Sequence, residues 1–399
     1  MCLFSAKVNG QYSNNYKSIY SFTLINGGEL TTMKQINENY LSANRILCRL
    51  IDDDEAKVDD ILKFMTSFLG LIITHEEGHR SVLTNLEIGS ISQPFSIFEG
   101  VAYVKGVTDE TLINLRQNNF HDYIRLHTAG LESDYMVTNK IESLIALELD
   151  DYKNLRTDYL VHKLSQIGYF ISVFVPKTSP NLKEEDSELE RDIVGHDVFG
   201  AIRHLYRPNM EFYRYTNFDD LTKKERKFAT KISLLSFLNL ANPIVFGKTN
   251  FKVNERLKMN AGVGYTLSPF GGFIDENIWL IINDNIKIHS YFRQFHNEND
   301  WFLGGGCNLI NYSMFQDKLI LNGGIDLWSQ PKNLSFTEGE GDFGYGINMN
   351  LGYKIYDTKN NKQSIYLNGG LSYKEAGFIP EYASLDGNTK FNFGLSLAW

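Results

Sequence analysis

His75, Glu76, Glu77, Gly78 and His79 bring together residue types that can run a hydrolysis. On a helix, residues four apart share a face, so both imidazoles can hold one metal ion while Glu76 projects beside it towards a water molecule. Neutral imidazoles bind Zn²⁺ without cancelling its charge. The ion lowers the pKa of its water towards about 7, and a carboxylate takes the proton as the oxygen attacks a carbonyl carbon. This makes His75 and His79 candidate metal ligands and Glu76 the candidate general base. Two histidines and two carboxylates in an otherwise apolar helix are costly to bury alone, and a metal is their natural partner.

The element that must position them runs from Val58 to Gly89, without proline and with apolar residues all round. It reads as one long helix closed by a glycine cap at Gly89 and buried in protein or lipid. A strand pair follows up to about residue 107, then a second helical block over about 122–151. Two further apolar segments, 159–176 and 229–247, are near the lower length limit for crossing a bilayer, and the acidic stretch 180–191 between them reads as a solvated loop. The cluster from Gly195 to Pro208 holds His196, Asp197, His204 and Arg207. Its aspartate, near a helix start, is a reserve metal ligand.

The motif resembles that of the HExxH zinc metallopeptidases, the zincins. In its HExGH form, within an apolar helix and ahead of a strand-like segment, it looks most like the membrane-embedded site-2-protease class over residues 61–104. The resemblance implies zinc-dependent cleavage of a peptide bond, with zinc on His75 and His79 and Glu76 as base. It then departs. That class takes its third ligand from an aspartate in a Leu-Asp-Gly motif on a later membrane helix, which no later apolar segment here carries, and Asn242-Pro243 is a faint echo of its Asn/Pro element. The six-residue extension to a third histidine found in another zincin group is also missing, because position 85 is Asn. Zincins with a glutamate ligand on a downstream helix offer a third pattern, which Glu132 and Asp134 resemble, although the usual spacing falls on Gly130. Glu132 is therefore the expected third ligand, with His127, Asp134 and Asp197 as open alternatives.

From about residue 250 helical periodicity gives way to period-two alternation with Asn/Asp/Gly turns, as in Met259-Ala261-Val263-Tyr265-Leu267 and Phe391-Phe393-Leu395-Leu397-Trp399. About eight strands are expected, with hairpin turns at 284–285, 357–361 and 386–387. Strands near ten residues, apolar on one face and Asn, Gly, Lys or Ser on the other, carry the pattern of outer-membrane barrels. The last strand, ending on Trp399, resembles the C-terminal signal of bacterial outer-membrane barrel proteins. His289 and His296 in this half read as ordinary exposed strand histidines.

Composition bounds the rest. With 39 Lys+Arg against 48 Asp+Glu the net charge is −9, and no basic stripe offers itself to nucleic acid. Three scattered cysteines, Cys2, Cys48 and Cys307, exclude a disulfide scaffold and a thiolate zinc site. The first residues read as the tail of a secretory signal whose start is missing. The expectation is an α+β chain. A mainly helical metallopeptidase-like part, 1–248, precedes an antiparallel up-and-down β-barrel or barrel-like sheet, 249–399, in a bacterial outer membrane. The competing reading is a non-enzymatic barrel or structural protein whose HExxH is incidental. Another keeps the metal and changes the substrate to an amide or ester of lipid or cell wall.

Overall fold

The computed structural model describes residues 18–27, 32–51, 57–96, 101–175, 184–358, 363–382 and 384–399. The expected signal tail and part of the turn at 357–361 lie outside them. Among the described residues there are seven α-helices: α1 (Met33–Ile51), α2 (Lys57–Asn85), α3 (Asp109–Asn118), α4 (Phe120–Ala146), α5 (Tyr152–Ile171), α6 (Asp197–Tyr206) and α7 (Lys223–Ser236). The strands are β1 (Ile19–Asn26), β2 (Ile91–Ser96), β3 (Val101–Lys105), β4 (Phe251–Asn254), β5 (Leu257–Ser268), β6 (Gly271–Ile282), β7 (Ile286–His296), β8 (Trp301–Met314), β9 (Leu319–Pro331), β10 (Gly341–Asp357), β11 (Ser364–Lys374) and β12 (Asn388–Ala398). No helix among them is long and apolar enough to cross a membrane by itself.

The α+β class holds, with one correction. Ten antiparallel strands form a sheet in the order β1-β12-β11-β10-β9-β8-β7-β6-β5-β4, and its ends, β1 and β4, do not pair. The sheet is therefore not closed into a barrel. Nine strands follow residue 250, and the tenth, β1, comes from the polar N-terminal region, where no strand was expected. It pairs with β12 from Ile19↔Ala398 to Asn26↔Asn392.

The sheet is inside out compared with a soluble one. Along β10, Phe343, Tyr345, Ile347 and Met349 point outward and are exposed, and the register aligns them with Leu327, Ile325, Leu371 and Phe391 on the same outer face. The inner face carries amides instead. Asn308, Asn322, Asn348, Asn350, Asn368 and Asn392 help line a cavity of about 420 Å³ between the sheet and helices α1 and α4. Glycines alternate with them; a Cβ at Gly370 would lie 2.7 Å from Asn392 Oδ1. His289 and His296 are buried rather than exposed. His289 Nε2 is 2.8 Å from Asn277 Oδ1, and His296 Nε2 is 3.0 Å from the Tyr265 hydroxyl.

Two more expectations shift. The motif helix ends at Asn85, and its reversal is made by Glu87 in the left-handed region (φ 59°), where the Ile88 N–H donates to the Leu83 carbonyl. Gly89 is not the cap. The connection from β11 to β12 is no tight hairpin: residues 375–382 fold inward, burying Phe378 and Ile379 and placing Glu381 against Asn37 and Lys140.

Candidate metal centre

α4 is the central helix, with most of its residues buried, and α2 and α6 pack against it. Glycines let the three helices converge. A Cβ at Gly78 on α2 would lie 2.6 Å from the Ala129 carbonyl oxygen, and one at Gly200 on α6 would lie 2.5 Å from His127 Nδ1. At Gly130 on α4 it would lie 2.5 Å from His75 Nε2 and closer still to His79 Nε2. The position that a downstream-glutamate zincin would use as ligand is glycine because α4 passes directly over the imidazoles.

The two histidines share one face of α2, as their spacing predicts, with Nε2 atoms 3.3 Å apart. Each ring is oriented through its other nitrogen. His75 Nδ1 donates to Asp134 Oδ2 (2.9 Å), and His79 Nδ1 donates to the Leu126 carbonyl (2.6 Å). These bonds place the protons on Nδ1 and leave both Nε2 lone pairs facing the same space, as in metal-binding histidines with outer partners.

Asp197 completes the triangle. Its Oδ2 lies 3.3 Å from His75 Nε2 and 3.4 Å from His79 Nε2, is buried, and makes no hydrogen bond. Four-coordinate ligands about 2.0–2.1 Å from a common ion stand about 3.4 Å from each other, so this triangle has tetrahedral spacing with one corner free. Two imidazoles and a carboxylate with converging lone pairs favour positive charge between them, whether a proton or a metal ion. The group His75, His79 and Asp197 can therefore hold a metal ion.

Asp197 is the first residue of α6, where the helix dipole favours an anion. Burial pushes its carboxyl up, but without a metal the facing His79 and His75, which Asp197 draws towards their protonated forms, outweigh that and hold it well below the usual carboxylate range. The backbone before it is fixed by His196, which caps α6 through Nδ1 and donates a 3.1 Å bond from Nε2 to the Ser172 hydroxyl, itself a donor to the Tyr169 carbonyl. Burial lowers His196 to about 4, so the ring is neutral, accepting at Nδ1 and carrying its proton on Nε2. The Tyr169 hydroxyl accepts from the Asp197 N–H at 3.2 Å.

The other expected ligands are elsewhere. Glu132 is fully buried in an ion pair with Arg125 (2.7 Å) and accepts from the Glu381 N–H. Asp134 orients His75. His127 lies beside His79 and Asp197 but packs on Tyr123 and His204, with neither ring nitrogen hydrogen-bonded. The chain does contain Leu385-Asp386-Gly387, but it lies in the loop before β12, in a second pocket with Asp122 and Trp328. Glu76 engages no hydrogen bond among the described residues and interacts with both histidines and with Asp192. Asp192 is pushed up to about 8 by burial and by Glu76's negative charge. The neighbouring Glu77 is occupied: Arg80 Nε donates to both its oxygens and Ser92 to one.

Sequence reasoning placed Asp197 in reserve and missed Gly130, Tyr169 and the Leu126 carbonyl. Of these only Gly130 carried a signal, standing where a ligand was sought. Gly130→Ala is expected to abolish stoichiometric metal binding, because its methyl fills the space at both Nε2 atoms. Metal content of the purified variant checks this; a full complement would show that α4 can retreat. The chain matches no protein-family model, and no curated protein matches it.

Proposed function

We propose that the protein is a membrane-associated, zinc-dependent peptidase. The observation that carries the reading is the buried triangle of His75, His79 and Asp197, beside a carboxylate on Glu76 that no hydrogen bond from the described residues occupies. A zinc ion held there would supply a Lewis acid that polarises the peptide carbonyl and acidifies water. Glu76 takes the proton from the attacking water and returns it to the departing amine. Asp134 and the Leu126 carbonyl keep the imidazole lone pairs aimed throughout. With an ion held by these three residues, the side facing Glu76 would be where water and substrate meet.

Association with a membrane, and with a bacterial outer membrane in particular, is supported by the exposed apolar face of the sheet over an amide-lined interior. Outward positions on β8 to β12, such as Leu303, Leu327, Met349, Leu367 and Phe393, carry no charge.

Zinc titration of purified protein, followed by proteolysis of an unfolded polypeptide, tests the reading. The expected result is one zinc per chain and hydrolysis that a chelator abolishes and added zinc restores. A protein that binds no zinc at stoichiometric level would sink it.

A further inference from the structure

Helix side chains meet the sheet at β1 and, beyond the exposed four-residue β4, at β5. On β1, the Asn39 side chain of α1 takes both backbone groups of Thr23: its Oδ1 accepts from the N–H at 2.8 Å, and its Nδ2 donates to the carbonyl at 3.0 Å. Ser42 and Arg45 of the same helix donate to the Ser21 and Ile19 carbonyls. On the other side, Asn239 in the turn after α7 does the same for Tyr265 of β5, at 3.0 and 2.9 Å, and the Ala241 carbonyl accepts from Val263. Each carboxamide stands in for a missing strand. Between these edges the packing runs from β1 to α1, α1 to α2, α2 to α5, α5 to α7, and from the turn after α7 back to β5. The helices thus bridge the gap in the sheet.

Three of the bridging helices share the polarity of the sheet, whereas α7 exposes Lys223, Lys224 and Lys227 and buries Phe228 and Ile232. In α2, Ile61, Met65, Leu69 and Ile73, four residues apart, are 47–64% exposed, whereas Lys63, Ser67 and Thr74 on the other side are at most 4% exposed. α5 buries Asp158, His162 and Gln166 completely and exposes Leu164. α1 buries Asn37 and Arg45 and exposes Leu50. A helix at a water surface has the opposite sense.

We propose that α1, α2, α5 and α7 complete the wall that the strands leave open, and that the outer surface of the strands and of α1, α2 and α5 faces the acyl chains of a bilayer. The inference rests on the membrane reading above and extends it from the strands to the helices. Hydrocarbon fits for three reasons. Lipid demands that every backbone group at an open edge be satisfied internally, which Asn39 and Asn239 do at the positions named. The outward stripes of β8 to β12 and of α2 from Ile61 to Ile73 are free of charge. Phe343 to Ile355 cover about 40 Å of strand, or about 30 Å at the usual tilt, which matches a hydrocarbon core. A second copy of the chain would cover one side, whereas the apolar surface continues from sheet to helices. Each of these three helices contributes only one apolar face, so none needs the all-round hydrophobicity of a lone membrane span.

Nitroxide labels on the full-length protein in phosphatidylcholine vesicles test this. The background is Cys2→Ser with Cys307→Ser, which leaves the buried Cys48. Labels at Leu69→Cys on α2, Leu164→Cys on α5 and Ile347→Cys on β10 are expected to collide with oxygen several-fold more than with a water-soluble nickel chelate. A label at Asn348→Cys, facing inward, should show the reverse. If the label on β10 is in lipid while those on α2 and α5 meet the chelate, the mixed wall is wrong and the membrane reading stands. If all three meet the chelate, both fall. Circular dichroism matching the unlabelled protein identifies variants that have kept the fold.

Discussion

Asp197→Ala is expected to lower zinc affinity by more than about 100-fold, exceeding the 10–100-fold typical when only an outer partner of a ligand is removed. The substitution takes one of three converging donors and leaves two imidazoles, too few to hold the ion in a buried site. Glu132→Gln is expected to do something different. Its zinc stoichiometry should stay at one, because Glu132 faces Arg125 and the Glu381 backbone rather than the triangle. Its stability should fall by about 3 kcal/mol, the cost of leaving the buried Arg125 without its counter-charge. Isothermal titration with zinc and thermal melting of both variants separate the effects. Retained affinity in Asp197→Ala, or lost affinity in Glu132→Gln at temperatures where it is folded, would return the third ligand to α4.

That pair of variants marks the limit of what could be read from the chain alone. The first two ligands were legible because helical spacing converts four positions in sequence into one face in space. The third was not. Asp197 lies more than a hundred residues beyond His79, after a loop, and reaches the site only because glycines at 78, 130 and 200 let three helices pack closely. Glu132 drew attention by its place on the next long helix, but one residue on a helix differs from its neighbour by about 100° of direction, and an approximate location cannot set a facing. The same limit applies to the sheet. Period-two alternation identified the strands and their two faces, yet cannot say which face meets the helices or whether the ends of the sheet pair. Nor could β1 be seen, since its partner β12 is the far end of the chain. α2 read as apolar all round; its inner side in fact carries Lys63, Ser67 and Thr74, widely enough spaced to be hidden among apolar neighbours.

The largest effect is expected at Glu76. Glu76→Gln keeps the shape and the hydrogen-bonding reach of the side chain but cannot accept a proton, so kcat should fall by about 10²–10⁴ while zinc stoichiometry stays at one. KM should move little, since the carboxylate acts on the water and not on the bound peptide. Two adjacent carboxylates make the test internally controlled. Glu77 is held by Arg80 and Ser92 and points away from the imidazoles, so Glu77→Gln should retain most of the activity. Glu76, by contrast, interacts with both histidines and engages no hydrogen bond that would compete with a water molecule. If Glu76→Gln hydrolyses peptide at the rate of the parent, the base lies elsewhere, and Asp192 beside it is the carboxyl to replace next. If it loses zinc instead, Glu76 is a ligand and the free corner of the triangle was its place. Full zinc with activity lost only in Glu76→Gln is the outcome that a metal site serving structure alone cannot produce.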